Sequence, residues 1–192
     1  MQHLVSLRLR AGVEHAEGDG FVRAPVTRGV PTPIKAGDKV WLQVVAGAEL
    51  HVYGVAVSDN QGTWRKVVYA GPDSAQPNER LLFADGWVLS ELDAQMRSLY
   101  VVASPEPLTW LDALDAPQDC SALAAQPKAD APSTPCERLM NLRLEVRVPR
   151  RKGKGLPAEL IREQGKVAVP GMVAEQRAAG RAVVVVHFKP RA

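Results

Sequence analysis

The sequence predicts a mainly β protein: an antiparallel, immunoglobulin-like β-sandwich with one or two short helices and a C-terminal β extension. Three observations support this prediction. Residues 37–69 contain three runs rich in β-branched and aromatic residues, separated by turn signals. Two other apolar runs, 99–103 and 182–188, have the length and composition of buried strands. No apolar run approaches the roughly 20 residues that a membrane-spanning helix needs.

The central stretch predicts three consecutive strands of one antiparallel sheet, at residues 40–45, 50–57 and 63–69. Residues 46–49 have the length of a hairpin connection, and residues 59–62 (DNQG) favour a turn. The second strand is apolar on both of its alternating faces, which indicates that it is covered on both sides.

Gly54 interrupts this second strand, where glycine normally weakens pairing. We attribute it to close packing beneath Trp41 or Trp64. A bound ligand that approaches the backbone is the alternative.

Shorter elements flank this centre. Residues 108–114, which include Trp110, favour one or two turns of helix that cap the sandwich. The other expected elements are strands at 3–10, 21–23, 80–84 and 87–89, a polar turn at 14–20 and an extended loop at 27–37.

The composition divides the chain into three parts: a β-sandwich domain at 1–114, a Pro/Ala-rich linker at 115–135, and a basic, β-rich extension at 136–192 that packs on the first domain. Within the extension, strict alternation predicts a strand at 139–148, and residues 172–179 are compatible with a helix that ends at Gly180. A helical turn at 158–164 and a short strand at 167–169 are also expected.

The two cysteines, Cys120 and Cys136, bracket the most Pro/Ala-rich segment. Two alternatives stay open: a disulfide in an oxidising compartment, or two free thiols. The pattern does not favour a zinc site, because two cysteines 16 apart without a nearby histidine supply too few ligands at the wrong spacing. The sequence predicts no metal and no cofactor.

Charge is distributed unevenly along the chain. From Glu137 onward there are 13 Lys or Arg and 5 Asp or Glu, a net charge of +8, whereas residues 1–136 carry a net charge of −5. Opposite charges of this size favour contact between the two parts, or contact of the C-terminal part with an acidic partner.

A basic loop is the candidate binding site. It could meet phosphates or an acidic protein face, and a solvated hairpin tip is the alternative interpretation. No aromatic residue is interleaved, so base stacking has no support. The loop consists of Arg147, Arg150, Arg151, Lys152 and Lys154.

No catalytic residues are predicted. The four histidines, His3, His15, His51 and His187, lie far apart, and no nucleophile-elbow, zinc-protease or phosphate-loop motif occurs. His51 and His187 fall in expected strands, where histidine is usually a structural or a surface residue.

Several motifs resemble those of a known family. Gly37-Asp38 opens the first core strand, Asp59 to Gly62 forms a D-x-x-G turn, the third strand ends at Tyr69 to Pro72, and a late strand continues into Ser104-Pro105. Across about residues 10–114 the chain resembles a bacterial β-sandwich domain of unknown function. That domain is found in envelope proteins and anti-sigma regulators and is fused to kinases or caspase-like peptidases. The resemblance implies a fold and no activity.

These observations predict a non-catalytic protein-interaction or sensor/accessory module of a bacterial regulatory, signalling or envelope system. Its partner would be another protein of that system, bound at a sheet edge or at the basic C-terminal face. The alternative is a nucleic-acid or polyanion binder that uses residues 147–154, and a third hypothesis is an unrecognised hydrolase. The N-terminus lacks the pattern of a secretory signal. We therefore expect a cytoplasmic protein if Met1 is the native start and a periplasmic one if a leader or anchor was removed.

Overall fold

The computed structural model describes residues 4–27, 29–46, 49–58, 62–72, 79–83, 85–123, 130–146 and 172–191. These residues form a mainly β protein, as predicted. The strands are β1 (Leu4–Glu17), β2 (Gly20–Pro25), β3 (Thr32–Ile34), β4 (Lys39–Ala46), β5 (His51–Ser58), β6 (Thr63–Ala70), β7 (Glu79–Leu81), β8 (Trp87–Val88), β9 (Met96–Ser104), β10 (Gln118–Asp119), β11 (Met172–Ala179) and β12 (Ala182–Pro190). The helices are α1 (Thr109–Asp112) and α2 (Pro135–Glu145), with 3₁₀ turns at Asp93–Gln95 and Ser121–Leu123.

The strands form two sheets. The first has the order β11-β1-β4-β7, with β2 also pairing β1 and β8 also pairing β4. The second has the order β10-β6-β5-β9-β12-β3. The pairings are antiparallel apart from β12 with β3, which run parallel. The two C-terminal strands therefore complete both sheets, because β11 pairs β1 and β12 pairs β9.

The main apolar core lies between the sheets. Along β1 alternate side chains point inward, and Leu7 and Leu9 are fully buried. They belong to one cluster with inward side chains of the second sheet, such as Val52, Leu99 and Val184. The predicted β-sandwich is confirmed, and its immunoglobulin-like assignment stays a prediction.

A second apolar layer covers the outer face of the second sheet. Side chains of β5 and β9, including Tyr53 and Tyr100, share a buried cluster with Leu111 of α1 and with Leu139 and Leu142 of α2. Since Val52 and Ala56 face the main core, β5 is covered on both faces, as its sequence predicted.

Gly54 lies at an irregularity of the β5–β6 ladder, where the register shifts by one residue. A Cβ placed on Gly54 would lie 2.6 Å from Cγ1 of Val68 and 3.4 Å from Cγ2 of Val67. Close packing therefore explains why a glycine occupies this position. The predicted neighbours, Trp41 or Trp64, are wrong, because the side chains that pack there are Val67 and Val68.

The predicted hairpin at 46–49 is wrong. β4 belongs to the first sheet and β5 to the second, so this connection crosses between the sheets. Neighbouring strands of one sheet share the same covered faces. In β4 one row of side chains is buried, and Lys39 and Gln43 lie on the other face. In β5 both faces are buried. The two strands therefore fit into different sheets.

The predicted strand at 139–148 is also wrong, because most of it forms α2. Thr134 caps this helix and Pro135 occupies its first turn, where a proline is tolerated. The Thr134 side chain accepts a hydrogen bond from the Glu137 N–H, and the Glu137 carboxylate accepts one from the Thr134 N–H at 2.9 Å. This capping box begins the helix, and its helical spacing buries Leu139 and Leu142.

The pKa of Glu137, measured in a pH titration, tests this capping box. Hydrogen bonds from the backbone N–H groups of Thr134 and Ser133 and from the Ser133 hydroxyl lower the pKa of Glu137 to about 2. A lowered folded-state pKa means that the cap contributes stability above the ordinary pKa of 4.5 and loses it as the pH falls towards 2. We expect a carboxyl NMR titration of Glu137 with a midpoint near 2; a midpoint near 4.5 would contradict the capping box.

Other expectations differ in detail. Residues 172–179 form β11 and not a helix, because pairing with β1 overrides their local preference. The expected turn at 14–20 begins only after Glu17, the loop at 27–37 contains β3, and the linker contains β10. The basic loop at 147–154 and the elements expected at 158–164 and 167–169 lie outside the described residues. Within the described part of the chain, no helix has both the length and the apolar character to cross a membrane.

Candidate functional site

The basic loop predicted as a binding site, Arg147, Arg150, Arg151, Lys152 and Lys154, lies outside the described residues. The two cysteines are described and form a disulfide, with an S–S distance of 2.08 Å. Cys120 follows β10, which pairs β6, and Cys136 is in the first turn of α2. The disulfide therefore fixes the start of α2 beside the edge of the second sheet.

The outer face of the first sheet is the candidate functional site, and we call it the open face. Within the described residues, no helix or strand packs over it. Three of its apolar side chains are more than half exposed: Phe21 at 54%, Leu81 at 53% and Val88 at 59%. On β1, β2, β4, β7 and β8 the open face includes Arg8, Arg10, Gly12, Glu14, Phe21, Arg23, Lys39, Trp41, Gln43, Leu81 and Val88.

Pairing across strands places these side chains together. The Lys39 ammonium lies 5.3 Å from the ring centre of Phe21 and 5.5 Å from that of Trp41, within the range of cation–π attraction. Beside them the Arg23 guanidinium donates to the Glu14 carboxylate at 3.0 Å. The centre of the face is therefore an aromatic and cationic surface.

A small cavity opens on this face at Gly12. Gly12 is directly opposite Trp41 in the β1–β4 ladder. A Cβ placed on Gly12 would meet no atom within 4 Å, so the missing side chain leaves open space. The cavity has a volume of about 220 Å³, and Trp41, Glu14 and Arg23 line it together with Gly12. Its size suits one apolar side chain of a partner.

A buried His–Asp pair lies at one end of the main core. His15 Nδ1 is 2.7 Å from Asp38 Oδ2, which also accepts the Lys35 N–H at 2.9 Å. Asp38 is fully buried, and its second oxygen, Oδ1, has no hydrogen-bond partner. His15 also lines an open cavity of about 510 Å³ with Glu17 and Arg191. The contact with Asp38 orients the His15 imidazole and connects β1 to the turn before β4.

The sequence does not predict this pair, because the polar composition of residues 14–20 indicates a turn at that position. In the structure β1 continues to Glu17, which places His15 in the same inward row as Val13. That row has period two from Val5 onward, and extending it would have indicated an inward His15.

The other histidines lie apart from this pair. His51 Nδ1 is 2.8 Å from the Tyr69 hydroxyl, and His187 Nδ1 is 3.1 Å from the Ser98 hydroxyl. His3 lies outside the described residues. Each described histidine thus has its own neighbour, and the strand positions predicted for His51 and His187 are confirmed.

Comparison of the chain with known protein families, with curated proteins and with solved structures finds no match. The resemblance to the bacterial β-sandwich domain therefore stays a prediction.

Proposed function

We propose that this protein is a non-catalytic interaction module whose partner protein docks on the open face. One observation carries the proposal: the two outer faces of the sandwich differ. The outer face of the second sheet is covered by α1 and α2, whereas the open face exposes Phe21, Leu81 and Val88. Grouped exposed apolar side chains with a polar surround are typical of protein–protein contact sites.

The cavity at Gly12 supplies an anchor for such a partner. Binding energy at protein interfaces concentrates in a few side chains that fill well-packed pockets. Trp41 forms one wall of the cavity, and Phe21 lies on the same face beyond Lys39. An apolar side chain of the partner that enters the cavity would pack against Trp41, with Phe21 and Lys39 nearby on the same face.

Charge indicates an acidic partner. On β1, β2 and β4 the open face carries four basic residues, Arg8, Arg10, Arg23 and Lys39, and one acidic residue, Glu14. The register of β7 and β11 adds Glu79, Glu175 and Arg177 to the same face, so its net charge is +2. Complementary charge speeds association and excludes partners of like charge. The expected partner therefore presents an apolar anchor within an acidic surface.

The cellular role that fits this module is an accessory or sensor part of a bacterial regulatory or envelope system. The disulfide between Cys120 and Cys136 supports an oxidising compartment such as the periplasm, since cytosolic thiols are usually kept reduced.

Filling the cavity is the direct test. We expect Gly12→Val to weaken capture of the partner from a lysate of the source organism by about tenfold or more, because the new methyl groups occupy the anchor cavity. Gly12 needs no positive φ, and valine favours strands, so the thermal midpoint should stay equal or rise.

Gly20→Val is the matched control. Gly20 also lies in the first sheet without a positive φ, opposite Glu17 and therefore off the open face. Capture should survive both Gly20→Val and nuclease treatment. If Gly12→Val and the wild type capture the same protein equally well, the open face is not the docking site. If capture is lost with nuclease, the polyanion alternative gains support.

A further inference from the structure

A second candidate site lies on the opposite side of the sandwich. A cavity of about 600 Å³ opens between the outer face of the second sheet and α2. It is lined by Pro31, Val57, Gly62, Trp64, Arg97, Ser98, Tyr100, Cys120, Met140, Arg143, His187 and Phe188. This volume falls within the roughly 300–1,000 Å³ that is usual for small-molecule sites.

Strand pairing brings together the side chains on the sheet side of the cavity. Val57, Ser98 and His187 are directly opposite one another on β5, β9 and β12, so their side chains form one row. The Ser98 hydroxyl and His187 Nδ1 lie 3.1 Å apart and form a polar pair within this row. Next to it the rings of Trp64 and Tyr100 stack with centres 5.1 Å apart.

The other side of the cavity is cationic. Arg143 projects from α2 and Arg97 from the start of β9, and both side chains are exposed. No carboxylate is among the lining residues, and neither arginine forms an ion pair with another described residue. Arg143 lines the same cavity as the aromatic pair Trp64 and Tyr100. Burial raises the pKa of Tyr100, and the Arg143 charge opposes that rise.

We propose that this cavity binds a small organic anion. Arg97 and Arg143 hold its carboxylate or phosphate oxygens. With His187 in the tautomer whose Nδ1–H donates to the Ser98 oxygen, the Ser98 hydroxyl donates a further hydrogen bond to the anion. Arginine suits this task because its planar guanidinium donates two parallel hydrogen bonds to such groups. The apolar body of the ligand packs against Met140 and the edge of the aromatic pair, since these side chains line the same space.

The test uses three probes: benzoate, phenyl phosphate and inorganic phosphate, each titrated into the intact protein by calorimetry and by amide NMR. We expect benzoate or phenyl phosphate to bind, with the larger shifts in β9, β12 and α2. The preferred probe identifies the carboxylate or the phosphate class. Inorganic phosphate should bind more weakly because it lacks the apolar body, and equal affinity would overturn that part of the proposal.

Two exposed arginines can be changed without disturbing the core. Arg97→Gln and Arg143→Gln should each weaken binding by about tenfold or more, because each removes charge-assisted hydrogen bonds. Arg177→Gln, on β11 of the other sheet, is the control and should leave binding unchanged. Unaltered thermal midpoints would show that the variants fold.

Two results would overturn the proposal: no saturable binding of any probe up to about 10 mM, or equal weakening by all three substitutions. The cavity and the open face lie on different sheets, so Gly12→Val should leave anion binding intact. The proposed docking function and this site can therefore fail independently.

Discussion

Leu142→Ala should lower the free energy of unfolding by about 2–5 kcal/mol, the range for truncating a buried leucine. Leu142 of α2 is fully buried in the cluster with Tyr53, Tyr100 and Leu111, so its loss leaves a cavity beneath the helix. Chemical denaturation followed by tryptophan fluorescence measures this change.

Leu144→Ala is the matched control. In a strand, Leu142 and Leu144 would lie on the same face and be buried together. In α2 they point in different directions, and Leu144 is only partly buried. We therefore expect a clearly smaller loss for Leu144→Ala; equal losses would favour a strand over a helix at this position.

Replacing both cysteines, Cys120→Ser with Cys136→Ser, should destabilise the protein by about 3 kcal/mol. The disulfide closes a loop with a sequence separation of 16, and a crosslink of that span restricts the unfolded chain by about this amount. For a chain of this length the thermal midpoint should fall by about 6–12 °C. Circular dichroism during heating measures the midpoint.

Reductant supplies the control for this prediction. The reduced wild type should unfold at the midpoint of the double variant, and reductant should not shift the variant itself. If the double variant unfolds at the wild-type midpoint, the disulfide does not stabilise the packing of α2 on the sheet.

Much of the fold could be predicted from local patterns. Runs of β-branched residues located β5, β6, β9 and β12, because such side chains pack well on a pleated surface. The two apolar faces of β5 also predicted correctly that it would be covered on both sides.

Other features depend on contacts between distant parts of the chain. Alternation at 142–148 resembled a strand, but the Thr134 cap and the apolar face of the second sheet stabilise a helix there. The length of the 46–49 connection suits a hairpin and a crossing between sheets equally well. Whether β4 pairs β5 or β1 is decided by which faces each strand can bury.

The open face could not be predicted for the same reason. Gly12 and Trp41 are 29 positions apart in the sequence, and only the β1–β4 register places them opposite each other. Which outer face is left uncovered by the described elements depends on where α2 packs. Local patterns contain neither piece of information.

The central claim is that a partner protein docks on the open face, and side-chain footprinting of the captured complex tests it most directly. Hydroxyl radicals would label the free protein and the complex, with modified residues read by mass spectrometry. Tyr69, 46% exposed on the second sheet, is the internal reference. We expect Phe21 and Leu81 to lose labelling in the complex while Tyr69 keeps it. Unchanged labelling of Phe21 and Leu81 together with protection of Tyr69 would contradict the proposal.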